Sequence, residues 1–281
     1  MKVMVIGSGT MGTGISQLLM SCSAVSSIYI YSRSAENLKS LFDTCLTNLT
    51  KLVRKGKLDE SIVAGLESRV HLVTELEFAK QVDLVIEAIS ECYEAKFALL
   101  QNLAGHLGEH TVFASNTSSL SITALGAKLT NAVNAVGLHF FNPAPLMELV
   151  EVVQGFVTSP EVVNKMTNFA TLLGKSPVVV NEGPGFVVNR MLIPMINEAI
   201  CILADDVASK EDIDKSMMLG AHHPMGPLKL SDLIGNDVVL SIMDTLYQET
   251  GDTKYRANPL LRKMVRANCL GRKTKQGFYS Y

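Results

Sequence analysis

Directly after the apolar run Val3–Ile6, the chain turns through Gly7-Ser8-Gly9-Thr10-Met11-Gly12 and enters a stretch of helical periodicity, Met11–Met20. Each glycine of such a turn answers a different demand: a tight reversal, close approach of backbone to a pyrophosphate, and close packing of helix on strand. The helix N-terminus adds unpaired N–H groups and a partial positive charge for the same anion. Six letters alone carry little weight. Placed between a strand and a helix, they predict a dinucleotide-binding β-α-β unit, with a glycine turn that binds nothing as the alternative. No Gly-Lys-Ser/Thr follows, which excludes a nucleotide-hydrolysing P-loop. Gly7, Gly9, Thr10, Met11 and Gly12 are the expected cofactor contacts.

From there to about residue 182, short apolar runs alternate with amphipathic stretches. Strands are predicted at Val3–Ile6, Ile28–Tyr31, Val70–Val73, Leu84–Ala88, Thr111–Ala114, Val133–His139, Leu149–Val153 and Val178–Val180. Helices are predicted at Met11–Met20, Glu36–Lys55, Glu94–Leu107 and Pro160–Leu173. Continuous apolar strands alternating with helices imply a mostly parallel sheet covered on both faces. The run from Glu148 to Val153 follows a Pro-containing turn, so antiparallel pairing is expected there. After Glu182-Gly183-Pro184-Gly185 the pattern becomes all helical, at Phe186–Asp206, Glu211–Leu219, Val238–Thr250 and Asn258–Arg266. The expectation is an α/β protein: a Rossmann-type domain over 1–183, then an all-α C-terminal domain over 184–281 that binds substrate and dimerises.

With 47% hydrophobic and 19% charged residues, the chain can bury a substantial core. A net charge of -2 gives no general attraction to nucleic acid or an anionic membrane, so any bound anion needs a local cluster. The five cysteines (Cys22, Cys45, Cys92, Cys201, Cys269) form no CxxC pair, and neither a disulfide framework nor a metal site is expected. No secretory pattern precedes the first strand and no run reaches the roughly 18 apolar residues of a membrane span. A cytoplasmic protein is expected.

Two positions carry the finer chemistry. About twenty residues beyond the glycine turn, NAD enzymes place a carboxylate on the ribose hydroxyls. This chain has Ser32-Arg33-Ser34 instead. Loss of the acid and gain of a guanidinium fork favour a 2′-phosphate, so NADP(H) is expected over NAD(H); an Arg33 that stacks on adenine or faces water is the alternative. Further on, His139 ends an apolar strand at the edge where α/β proteins place chemistry, and Glu151 follows on the returning strand. Histidine titrates in the range needed to exchange an alcohol proton while hydride moves, and a carboxylate on its far nitrogen would fix the tautomer. On spacing alone, a core histidine bound to a backbone carbonyl is the better reading.

Several further strings change that balance: Ser115-Asn116-Thr117-Ser118-Ser119, Gly137-Leu138-His139-Phe140-Phe141-Asn142-Pro143, Pro184-Gly185-Phe186-Val187-Val188-Asn189-Arg190, Pro224-Met225-Gly226-Pro227 and Lys273–Tyr279. With Gly7–Gly12, their order and spacing resemble the 3-hydroxyacyl-CoA dehydrogenase family essentially end to end, most of all its single-function bacterial 3-hydroxybutyryl-CoA members. The resemblance implies that His139 is the general acid/base and Glu151 its orienting partner. It implies that Ser118 and Asn189 contact the substrate's C3 oxygen, where charge builds during reduction. It places Glu91, Lys96, Asn116, Ser118, Asn142 and Lys273 at the nucleotide, and Lys55, with Lys51, on coenzyme A phosphates. Without it, Ser118 reads as a helix cap, Asn189 as a polar residue on an apolar helix, and Glu91, Lys96 and the basic stripe as solvated helix surface.

Two departures stand out. Asn48 occupies a position that is commonly Ser, and Ser32-Arg33 replaces the usual acid, so cofactor identity does not carry over. The implied reaction interconverts acetoacetyl-CoA and (S)-3-hydroxybutyryl-CoA, without metal, in a homodimer. A β-hydroxyacid dehydrogenase would need a lysine where the chain has Asn189-Arg190, and a non-catalytic nucleotide binder would have no use for the His139–Glu151 pair.

Overall fold

The computed structural model describes residues 1–281. The chain forms two compact units, Met1–Gly183 and Pro184–Tyr281.

The first unit is built on one eight-stranded sheet in the order β3-β2-β1-β4-β5-β6-β7-β8. The strands are β1 (Lys2–Ile6), β2 (Ser27–Tyr31), β3 (Val70–Val73), β4 (Leu84–Glu87), β5 (Val112–Ser115), β6 (Ala135–Phe140), β7 (Leu149–Gln154) and β8 (Ser176–Asn181). All neighbours pair in parallel except β6 with β7, the antiparallel pair expected after the proline turn. The helices are α1 (Thr10–Ser21), α2 (Ala35–Arg54), α3 (Glu60–Ala64), α4 (Leu66–Arg69), α5 (Tyr93–Leu103), α6 (Ile122–Gly126) and α7 (Pro160–Leu172).

Alternation along β1 shows why both faces are covered. Val3 and Val5 join the cluster made with Ile15 and Leu19 of α1, Leu38 and Leu41 of α2, and Met166 of α7. Met4 and Ile6 point the other way, into a cluster with Leu100, Leu103 and Leu125 from α5 and α6. Period-two side chains on a doubly covered strand give the continuous apolar run seen in sequence. Chain order reverses between β1 and β4, so the carboxyl ends of these strands border the crevice where such sheets bind ligands.

The second unit contains α8 (Val188–Ala204), α9 (Lys210–Gly220), α10 (Pro227–Ile234), α11 (Asn236–Thr250) and α12 (Pro259–Arg266). Its core joins Ile193, Ile196 and Ile200 of α8 to Leu228, Val239, Met243 and Leu261. Helix α10 lies outside the segments that the sequence pattern marks as helical. Pro227 occupies the first helical position, where a missing N–H costs nothing. The cap comes from far upstream: buried Asp214 accepts the N–H groups of Leu228 (2.8 Å) and Lys229 (3.1 Å). No helix is long and apolar enough to cross a membrane.

Candidate active site

The glycine turn meets its three demands in three measurable ways. Gly7 has φ +125°, and a Cβ there would fall 2.4 Å from the Ala88 carbonyl oxygen just past β4. Gly12 lies so close to the turn that a Cβ would sit 2.1 Å from the Gly7 oxygen. At Gly9 a Cβ would meet nothing within 4 Å. The chain's own packing therefore needs glycine at 7 and 12 but not at 9. Gly9 caps α1 without a side-chain hydrogen bond, and the first turn, beginning at Thr10 and Met11, holds no acidic residue. Open space over Gly9, beside donors at the positive end of a helix, fits a pyrophosphate. At the end of β2, the Ser8 and Ser32 hydroxyls lie 3.1 Å apart, and Ser32 Oγ accepts the Ser34 N–H at 3.3 Å. Arg33 is exposed and takes part in none of the ion pairs.

Across the sheet, β6 and β7 place His139 directly opposite Glu151 in the antiparallel ladder. His139 Nδ1 lies 2.7 Å from Glu151 Oε2, with the residues 5% and 1% exposed. The imidazole packs against the Phe141 ring, centroids 4.4 Å apart. Beyond the strand end, the connecting loop that carries Asn142 is tied down by Lys175, whose ammonium donates to the carbonyls of Pro145 (3.3 Å) and Met147 (2.8 Å). Burial holds the Lys175 pKa below the usual lysine range, against an opposing pull from Glu148.

The loop after β5 is stitched to both neighbours. Asn116 accepts the Phe140 N–H at 2.8 Å, next to His139, and its own N–H donates to the Glu87 carbonyl at 2.8 Å. Glu91 Oε1 gathers the Thr117 hydroxyl (2.6 Å), the N–H groups of Ser118 (2.8 Å) and Ser119 (3.1 Å), and both serine hydroxyls. Burial alone would raise the Glu91 pKa, but the Lys96 ammonium and these hydrogen bonds hold it below the usual glutamate range.

Lys96 is not the solvated helix surface that its position alone suggests: it is 1% exposed, with its ammonium 2.7 and 2.9 Å from the two oxygens of Glu87 and 3.3 Å from Glu91. Glu87, 0% exposed, was missed in the sequence. The available signal was a lone acid closing the apolar strand Leu84-Val85-Ile86.

Lys51 and Lys55 are exposed at the end of α2. Lys55 is its C-cap residue. Asn48 on the same helix donates to Gln17 at 2.9 Å, which commits its amide N–H to α1. In the second unit, Asn189 is half-buried in the first turn of α8. Lys273 pairs with the Asp237 carboxylate at 2.6 Å.

Two family models match in tandem: the 3-hydroxyacyl-CoA dehydrogenase NAD binding domain over residues 2–183 and its C-terminal domain over 185–281. The chain belongs to the 3-hydroxyacyl-CoA dehydrogenase family. It is thus an oxidoreductase acting on CH–OH groups, with a domain of the NAD-binding kind. Among family members, the 3-hydroxybutyryl-CoA dehydrogenase of Clostridioides difficile is 52% identical, covering 100% of this chain and 99% of the relative. The human mitochondrial hydroxyacyl-coenzyme A dehydrogenase is 39% identical over 99% of this chain and 90% of its own. The crystal structure of (S)-3-hydroxybutyryl-CoA dehydrogenase from Ralstonia eutropha superposes with a TM-score of 0.94 at 42% identity, covering 100% of this chain and 98% of that one.

Proposed function

We propose that this chain interconverts acetoacetyl-CoA and (S)-3-hydroxybutyryl-CoA, with His139 as general acid/base. The observation that supports this most directly is the buried 2.7 Å contact between His139 Nδ1 and Glu151. With the carboxylate accepting from Nδ1–H, the neutral ring keeps its acceptor lone pair at Nε2. That nitrogen takes the hydroxyl proton in oxidation and returns one to the C3 oxygen in reduction, while Glu151 stabilises the imidazolium formed between. When bound, the nicotinamide supplies or accepts the hydride exchanged at C3. Ser118 and Asn189 are the proposed donors to the C3 oxygen, stabilising negative charge as it grows.

The glycine turn, with Glu91, Asn116 and Asn142, is the proposed nucleotide cradle, and Lys273 is carried with it from the resemblance. Exposed Arg33, without a carboxylate beside it, supports NADP(H) over NAD(H). Lys51 and Lys55 are the proposed coenzyme A phosphate contacts, and a homodimer formed through the second unit is the proposed assembly. The test is turnover of acetoacetyl-CoA with NADPH and with NADH. Consumption of neither nucleotide would sink the reading, and a preference for NADH would sink the Arg33 argument alone.

A further inference from the structure

Asn116 belongs to the proposed nucleotide cradle, yet one end of its carboxamide is committed inside the protein. Its Oδ1 accepts the Phe140 N–H at 2.8 Å, and that donor settles which end of the amide is oxygen. The backbone explains the demand. Along β5 and β6 the parallel register runs Phe113↔Ala135, Ala114↔Val136 and Ser115↔Gly137. Strand β5 stops at Ser115, whereas β6 continues through Leu138 and His139 to Phe140. On its other edge β6 stays paired to the end, with His139 facing Glu151 and Phe140 facing Val150. The stretch that carries the proposed base therefore outruns its neighbour on the β5 side. Phe140 is 2% exposed, and a buried N–H that faces past the end of a strand needs an acceptor from elsewhere. Half-buried Asn116 supplies it from a side chain. Its own backbone N–H donates to the Glu87 carbonyl at 2.8 Å, which ties the residue to the end of β4.

We propose that Asn116 positions His139 through Oδ1: a side-chain rung continues the sheet past the end of β5 and fixes the strand end from which the imidazole meets the substrate hydroxyl. The Nδ2 end is left for the nucleotide, so one carboxamide serves both halves of the site. The inference rests on His139 being the general acid/base. Glu151 cannot do this work, because it rides on β7 and shifts together with β6. The rung instead ties the His139–Glu151 pair to β4 and β5, whose carboxyl ends border the crevice. Without it, the Phe140 N–H loses its partner and the end of β6 moves relative to those strands. A base displaced by about 1 Å loses on the order of 10²-fold in rate. With both substrates saturating, that loss appears in kcat, whereas a weaker nucleotide contact at Nδ2 appears in KM.

The experiment measures kcat for (S)-3-hydroxybutyryl-CoA oxidation, at saturating substrates, in wild type, Asn116→Ala, Asn116→Asp, His139→Ala and the Asn116→Ala/His139→Ala double variant. The two replacements at 116 separate the ends of the carboxamide. Alanine removes both, while aspartate keeps an oxygen for the Phe140 N–H and loses the donor that a nucleotide would use. Asn116→Leu, similar in size but without an acceptor, takes the place of Asn116→Ala if that variant does not fold. The expected result is a kcat roughly 10²-fold down in Asn116→Ala, an Asn116→Asp enzyme at least about tenfold faster than Asn116→Ala, and no further loss when Asn116→Ala is added to His139→Ala. Alanine and aspartate variants equally slow would overturn the proposal, as would fully multiplicative losses in the double variant. A His139→Ala enzyme as fast as wild type refutes the base assignment itself, since such a group supplies about 10²–10⁴-fold. A slow His139→Ala beside a full-speed Asn116→Ala refutes only the rung.

Discussion

Replacing Glu151 with Gln isolates the electrostatic part of the proposed proton-handling pair, because the side chain keeps its shape. In the native pair, the carboxylate oxygen lies 2.7 Å from His139 Nδ1. Charge on both groups is spread over the ring and the carboxylate, so the effective separation is about 4 Å. At an effective dielectric of about 20 the attraction is about 4 kcal/mol. In the oxidation direction the ring gains its proton as hydride leaves, so nearly all of this interaction falls on the transition state. At 1.36 kcal/mol per decade, the loss corresponds to about 10³-fold in kcat. Glutamine can also donate to Nδ1 through its amide, which would place the ring proton on Nε2 and remove the acceptor that the alcohol needs. Both effects act in the same direction. Initial rates of (S)-3-hydroxybutyryl-CoA oxidation, followed by nicotinamide absorbance at saturating substrates, give kcat directly, and a thermal melt confirms folding. A folded Glu151→Gln enzyme within tenfold of wild type would refute the argument, since no 2.7 Å partner of a protonating base is so dispensable.

Gly9→Ala should fold with stability within about 0.5 kcal/mol of wild type, since its Cβ meets no atom within 4 Å, yet bind either nucleotide at least tenfold more weakly; unchanged binding in a titration would show that nothing approaches Gly9. Gly12→Ala, with its Cβ 2.1 Å from the Gly7 oxygen, should lower the melting temperature as well. Arg33→Ala should weaken NADPH by roughly 10- to 100-fold, the range of one charge-assisted hydrogen bond, while NADH changes little; equal loss for both would assign Arg33 to adenine. For pH, the Glu91 carboxyl is held below its ordinary 4.5 in the folded chain, so its stabilisation is complete above that value and lost as pH falls through the lower folded one. Melting midpoints should therefore fall less steeply below about pH 4.5 in Glu91→Gln than in wild type, and parallel curves would refute the assignment.

Much of the fold was legible because its signals are local and repetitive. Val70–Val73 has the same limits in sequence and structure, and α2 and α7 each differ by a residue or so. Where boundaries moved, a local competitor won. The strand expected from Val133 begins at Ala135 because Ala132–Asn134 turns as a 3-10 helix. The helix expected to reach Leu107 ends at Leu103, where Ala104–His106 tightens in the same way. Helix α10 escaped notice because its cap is supplied by Asp214, which no local reading connects to Leu228. For the site, the glycine turn was readable because its motif is contiguous. The facing of His139 and Glu151 follows from ladder register, which spacing suggests without fixing. Glu87 left one faint signal, a lone acid closing an apolar strand, and the burial of Lys96 left none, since an acid and a base nine positions apart look the same whether solvated or enclosed.

The antiparallel step between β6 and β7 turns loop length into a chemical variable. His139 meets Glu151 because of where the ladder counts begin on either side of the proline-containing connection. Insert or delete one residue between Phe141 and Glu148, and valine, Val150 or Val152, would stand opposite the imidazole, while the carboxylate rotates to the far side of the sheet. The connection is therefore constrained in number as firmly as the two site residues are in kind. Lys175, gripping that bend through two carbonyls, helps keep the count.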